Sequence, residues 1–281
     1  MKLEAGLYIV STPIGNLEDI TIRGISALNN CDIIYCEDTR NCNKLLEKYG
    51  IKLKKLGIYN DHSTEKTRQE IVSAILSWKS VCLISDAGTP LISDPGYKLV
   101  RNLQELGLKI DAIPGACAAI NALVLSGLAT DKFYFAGFMP RTAHAREKEL
   151  EPLVSLKASI IFYDTGARIL DSLVAVKKIM GNREICIARE LTKIYQTVIR
   201  RNIDDIINNP DEIKLKGEFV LIISGEKPDI EFAPEEAEEY IKSLLARGAS
   251  GKDIAENLTA KFGKKISKNE IYNLVSKLKS I

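Results

Sequence analysis

The sequence predicts an α/β protein: two α/β domains, the first built on a mostly parallel sheet and the second on a mixed one, followed by a small helical module. Three observations carry this expectation. Through the first 125 residues, short apolar runs alternate with segments of helical period, the pattern of a parallel sheet whose crossovers are helices. Most of these runs end in turn residues or charged groups rather than in more core. Later, residues 195–200 place Tyr195, Thr197 and Ile199 on one face, which is the alternation of an antiparallel strand. The expected boundaries are 1–114, 115–226 and 227–281.

In order, residues 7–10, 32–36, 53–58, 81–84 and 109–113 read as strands, with helices over 21–30, 41–49, 65–77, 97–106 and 116–125. The last of these helices is unusually rich in small side chains, which let another backbone or a ligand approach closely. Strands are expected at 133–138, 158–163, 184–188, 195–200 and 217–225, with a helix over 169–180. Residues 141–148 read as a basic, mobile segment. After a linker at 226–229, helices are expected from Pro234, Ser250 and Ser267, the last with a capping-box shape. Residues 241–281 hold nine Lys/Arg against three Asp/Glu. That balance suits either a solvated appendage or a nucleic-acid contact.

The composition narrows the class of function. A chain of 281 residues is long enough for two domains and a large core. A net charge of +2 imposes no overall field that calls for a polyanion. No apolar run approaches the roughly 20 residues of a membrane span, and residues 1–6 lack a signal-peptide shape. The six cysteines form no CxxC pair and have two histidines for company, so no zinc pattern emerges and no metal is expected. Reduced thiols in the cytoplasm are the simplest account.

One stretch organises the rest. Residues 85–96, SDAGTPLISDPG, hold two Gly, two Pro and two Asp between an apolar strand and an amphipathic helix. Simple βα connections take about 2–6 residues, and longer ordered loops at strand carboxyl ends are where α/β sheets bind ligands. Residues 11–16, STPIGN, form a second Pro/Gly loop that matches neither a dinucleotide fingerprint nor a Walker loop. Glu37-Asp38-Thr39-Arg40 ends the second strand; a helix cap explains one of its carboxylates but not both together with Arg40.

These motifs, with residues 188–193 (ARELTK), resemble the ribosomal RNA small-subunit methyltransferase I family of the tetrapyrrole-methylase superfamily, over about residues 5–225. The resemblance implies an S-adenosylmethionine-dependent homodimer that methylates a cytidine ribose 2′-hydroxyl in the decoding region of small-subunit ribosomal RNA. It places Pro13, Ile14, Asp86, Gly88 and Thr89 around the cofactor, with Phe162 and Tyr163 from the second domain. For the hydroxyl proton the candidates are Glu37, Asp38, Asp61 and His62, since a partly dry cleft moves a carboxylate or imidazole pKa toward a useful value. Arg40, Arg168, Arg189 and Lys193 are the expected phosphate contacts. The family usually carries His-Arg where this chain has Ala167-Arg168, and a basic cluster of which Arg141 and Arg146 remain. A small-molecule methylase acting on a tetrapyrrole is the alternative; the Glu37-Asp38-Thr39-Arg40 motif and the basic C-terminal helices speak against it, because a flat macrocycle asks for an apolar trough rather than phosphate partners.

Overall fold

The computed structural model describes residues 3–52, 54–226 and 234–262. Met1–Glu226 form one compact unit and Lys227–Ile281 another.

The first unit holds two five-stranded sheets. In the first sheet, β1 (Gly6–Val10), β2 (Ile33–Cys36), β3 (Lys55–Ile58), β4 (Ser80–Leu83) and β5 (Ile110–Ile113) are all parallel, in the order β3-β2-β4-β1-β5. Successive strand residues point to opposite faces, and both faces are covered. Tyr8, Val10, Ile34, Cys36 and Cys82 pack with Leu28 of α1 (Ile22–Asn30) and with Leu45 and Leu46 of α2 (Thr39–Lys48). Leu7, Ile33, Tyr35, Val81 and Leu83 pack with Ile71 and Ile75 of α3 (Glu65–Leu76) and with Leu99 and Leu103 of α4 (Tyr97–Glu105). This two-sided burial is why the central strands β1, β2 and β4 read as apolar runs. Because all five strands run the same way, all five carboxyl ends lie on one rim.

The second sheet is mixed. It orders as β6 (Phe133–Phe138), β7 (Ser159–Thr165), β10 (Glu218–Ile223), β8 (Glu184–Arg189) and β9 (Thr197–Asn202). β6 and β7 are parallel and the other neighbours are antiparallel. One face packs on α6 (Ala143–Leu150), α7 (Ile169–Met180) and α8 (Ile203–Asn208), with Phe162, Leu173 and Leu221 at its centre. The other face receives α5 (Ala118–Ser126), whose Ala119, Ala122 and Leu123 lie on Ile161, Cys186, Ala188 and Ile222. The small side chains of α5 serve this close approach to the sheet.

Residues 141–148 are not the mobile segment the charges suggested. Thr142 caps α6 by accepting from Ala145 N at 3.3 Å, and Arg146 and Leu150 turn inward. Arg146 donates to the Arg141 carbonyl and lies 3.4 Å from Asp171 of α7. The helical period there was hidden because one of its inward positions is an arginine.

The second unit contains α9 (Pro234–Ala246) and α10 (Gly251–Phe262), joined through Ile241, Ile254 and Leu258. Ser250 and Asp253 form a reciprocal cap at the start of α10. The expected linker continues into residues 227–229, and these, with the helix from Ser267, lie outside the described residues. All six cysteines are free thiols. No described helix is long and apolar enough to cross a membrane.

Candidate active site

The loops that leave the two sheets enclose a cleft of about 360 Å³. Its first wall is the β4–α4 loop, residues 84–96. Thr12 and Gly88 exchange backbone hydrogen bonds at 2.8 and 3.0 Å, which fastens this loop to the one after β1. Gly88 sits at φ +80°, and a Cβ there would come within 3.3 Å of Ile14 Cγ2, so the position asks for glycine on both counts. Ser11 Oγ and Thr89 Oγ1 are 2.9 Å apart, and Thr89 donates to the Ala116 carbonyl at 3.0 Å, tying in the chain that enters α5.

Backbone strain gathers on both sides of this space. Leu91 and Ser93 in the β4–α4 loop, and Glu190 and Thr192 after β8, all have φ between 49° and 74°. Such conformations cost on the order of 1–3 kcal/mol each in non-glycine residues and persist only where the surroundings hold them. For Thr192 the surroundings are the loop after β1. Asn16 N donates to Thr192 Oγ1 at 2.9 Å, and a Cβ on Gly15 would lie 2.8 Å from the Leu191 carbonyl oxygen. The loop after β1 therefore seats directly on the loop after β8.

The rim of the first sheet is acidic. Asp86 accepts from Asp38 N and from Asn41 Nδ2, both at 3.1 Å, and its own N–H donates to Glu37 Oε1 at 3.2 Å. Burial, then the Asp94 carboxylate, pushes the Glu37 carboxyl up to about 7. Burial, with Asp86 and Asp61 adding to it, pushes Asp94 up to about 6 despite a hydrogen bond from Ser85. Both groups line the cleft. Asp38 does the opposite: Arg40 grips it at 2.6 Å and, with the Arg40 backbone N–H, holds it down at about 2.

The second sheet supplies an aromatic wall. Tyr163 projects into the cleft with Phe135 and Phe138 set edge-on against it, centroids 5.0 and 5.4 Å away. Its hydroxyl accepts from Ala119 N at 3.3 Å, and burial raises its pKa. Cys117 and Ala118, at the start of α5, also face the space.

Of the residues singled out in the sequence, Ile14, Glu37, Asp86, Gly88, Thr89 and Tyr163 come together here. Pro13 is buried behind Asp86, in a separate crevice with Asn41. Asp38 serves as the cap of α2. Asp61 and His62 are exposed in the turn before α3 and do not line the cleft, although the Asp61 charge acts on Glu37 and Asp94.

Two expectations need correction. Phe162 is fully buried in the core beneath α6 and α7, because strand alternation turns it away from the face that Tyr163 presents. Arg189 is 7% exposed, and its guanidinium donates to the Lys216 carbonyl at 2.6 Å and the Tyr195 carbonyl at 3.0 Å, so it braces backbone instead of meeting solvent. The other cations are more open. Arg40 is exposed. Arg168 lies beside Thr165 and Asp164, and Lys193 pairs with Glu190 and Glu218.

The sequence reading passed over Asp94, Ala118, Phe138, Leu191 and Glu218, all of which line the cleft. Asp94 had a signal, since it is the second acid of the organising loop. Glu218 had none, because it enters at the amino end of its strand.

The profile described as Tetrapyrrole (Corrin/Porphyrin) Methylases matches residues 6–207. The chain is 52% identical over 279 residues to the ribosomal RNA small subunit methyltransferase I of Rickettsia prowazekii (strain Madrid E), covering 99% of each. It is 38% identical over 274 residues to the protein of that name from Bacillus subtilis (strain 168), covering 95% of this chain and 92% of that one. Among solved structures, a diphthine synthase superposes with a TM-score of 0.62 at 15% identity, covering 78% of this chain and 89% of that one; at such identity the likeness is one of fold. The acid-rimmed cleft between a parallel and a mixed sheet thus sits on a family scaffold, and the chain belongs to the tetrapyrrole (corrin/porphyrin) methylase family and, within it, to the ribosomal RNA small subunit methyltransferase I group.

Proposed function

We propose that the protein transfers a methyl group from S-adenosylmethionine to the ribose 2′-hydroxyl of a cytidine in the decoding region of small-subunit ribosomal RNA. The observation that carries this reading is the half-dry acidic cleft, present in a chain that matches relatives of that name over nearly its whole length.

The cleft fits such a donor. Its volume lies in the range of small-molecule sites. Glu37 and Asp94 offer carboxylates to a ligand bearing a sulfonium and an ammonium. Tyr163, Ile14 and Leu191 supply apolar walls. S-adenosylmethionine brings a methyl already activated by positive sulfur, so the protein's tasks are alignment, exclusion of water and removal of one proton.

Asp94 and Asp86 are assigned to cofactor binding. Glu37 is the general base: it lines the cleft, and a carboxyl titrating near 7 can take the hydroxyl proton as the new O–CH₃ bond forms and the S–CH₃ bond breaks. Asp38 positions α2. Arg40, Arg168 and Lys193 are assigned to phosphates outside the cleft, and Arg189 leaves that set. The two sheets act as two lobes, divided near residue 114. The chain acts in the cytoplasm as a homodimer, of twice its 31.1 kDa mass.

The test is to map ribose methylation on small-subunit ribosomal RNA incubated with and without the protein and donor. A new 2′-O-methyl cytidine in the decoding region is the expected result. Ligand-induced thermal stabilisation without any RNA methylation points instead to another acceptor, and no stabilisation by S-adenosylmethionine or S-adenosylhomocysteine removes the enzyme reading altogether.

A further inference from the structure

A β-bulge controls which way one aromatic side chain faces. Along β6 and β7 the register runs Phe133 to Ser159, Tyr134 to Ile160 and Phe135 to Ile161, then resumes at Phe138 opposite Tyr163. Three steps on β6 thus match two on β7, so one residue is extra. The break lies at Gly137, which sits at φ +76°, a conformation suited to glycine.

The bulge reverses the alternation. Phe135 faces the α5 side and Ala136 the opposite core, so regular pleating would send Phe138 into that core beside Ala136. Instead Met139 takes the core position at 1% exposure, and Phe138 lines the cleft at 56% exposure. A large aromatic is thus kept out of the apolar core and held at the mouth of the site, edge-on against Tyr163. Bulges beside active sites commonly re-aim a side chain in this way.

We propose that Phe138 is a substrate-binding residue: its free ring face stacks on the base of the nucleotide whose ribose is methylated. This deepens the RNA-methyltransferase reading and rests on it. Three observations favour a nucleobase of the acceptor. The ring is open to solvent, as a group meeting the second substrate must be. It stands on the lobe opposite Glu37 and Asp94, so an acceptor sugar approaching those acids brings its base toward this wall. The chain leaving Phe138 runs into exposed Arg141 and His144 at the start of α6, which suits a neighbouring phosphate. Stacking on an aromatic face is the common way of holding an unpaired base.

The experiment compares wild type with Phe138→Ala, Phe138→Leu and Phe138→Tyr. It reads S-adenosylmethionine affinity by calorimetry, and KM and kcat for methyl transfer to small ribosomal subunits. The expected result is a KM for the subunit raised about ten- to a hundred-fold in Ala and Leu and restored in Tyr, with donor affinity within about two-fold of wild type throughout. A matching fall in donor affinity would overturn the proposal in favour of a platform for the donor's own adenine. Full activity in Leu would reduce Phe138 to a filler of space. If wild type itself transfers no methyl to the subunit, the RNA reading fails before Phe138 is reached.

Discussion

The two sheets reach the cleft by different routes. In the parallel sheet every strand delivers its carboxyl end to the same rim, so the loops after β1, β2 and β4 meet without further condition. In the mixed sheet β6, β7 and β8 end at the cleft while β10 begins there, and Glu218 arrives at the start of its strand. A strand-end rule finds the first kind of site from sequence. It finds the second only when strand direction is known. The first sheet contributes Glu37, Asp86 and Asp94; the second contributes an aromatic wall with a core on its far side, and strained backbone stands on both.

The largest test of this contrast lies within two adjacent residues of β7. Phe162→Ala removes a fully buried ring, and large-to-small changes of that kind cost about 3–5 kcal/mol. Chemical denaturation should register that loss, while the folded fraction keeps wild-type affinity for S-adenosylmethionine. Tyr163→Ala should behave in reverse, with donor affinity lowered at least ten-fold and a smaller loss of stability. Equal effects on affinity would erase the distinction between the two faces of the strand.

The seam between the lobes gives the next effect. A Cβ on Gly15 would sit 2.6 Å from Thr192 Oγ1 and 2.8 Å from the Leu191 carbonyl. Overpacking typically costs about 1–3 kcal/mol. Gly15→Ala should therefore lower the melting temperature and weaken donor binding together, since it pushes apart the two loops that carry Ile14 and Leu191. Normal binding with lowered stability would mean that the seam holds the fold without shaping the cleft.

These residues also mark how far the sequence could be read. The strands of the first sheet, the organising loop and the Thr12–Gly88 region were legible because apolar runs and Gly/Pro/Asp clusters are local signals. Phe162 and Arg189 were misread for one reason: which way a side chain faces depends on register and on what lies behind it. A motif arginine looks the same in sequence whether it meets phosphate or, as Arg189 does, the carbonyls of Lys216 and Tyr195. The α6 segment was misread because a buried arginine breaks the apolar period. Phe138 was invisible because a single inserted residue in β6 reverses its side.

The acids of the first rim predict a pH dependence whose sign is fixed by the direction of their shifts. Glu37 at about 7 and Asp94 at about 6 bind protons in the folded donor-free protein that the unfolded chain gives up nearer 4. Stability contributed by these groups is thus present at low pH and declines as pH rises toward 7. A cationic donor prefers them ionised, so its affinity should fall as pH drops from about 7.5 to 5.5. Glu37→Gln should raise the melting temperature at pH 8 by about a degree or two while depressing single-turnover methyl transfer. Donor affinity that stays flat across this range in calorimetry would separate Asp94 from the cation it is assigned to hold.

Salt dependence distinguishes the basic groups of the two sheets. Arg40 leaves the first rim with its guanidinium exposed, whereas Arg189 in the second is spent on two backbone carbonyls. Each phosphate neutralised on a single strand contributes about 0.7 to the slope of log affinity against log salt, and about 0.9 on a duplex. Arg40→Ala should therefore flatten the salt dependence of subunit binding by nearly one unit while leaving the fold as stable as before, because its pair with Asp38 is solvent-exposed. Arg189→Met should leave the slope unchanged and destabilise the fold by about 1.5–3 kcal/mol for each charged hydrogen bond lost. If the slope instead flattened with Arg189 and held with Arg40, the inward brace of the second sheet would have to open when RNA binds.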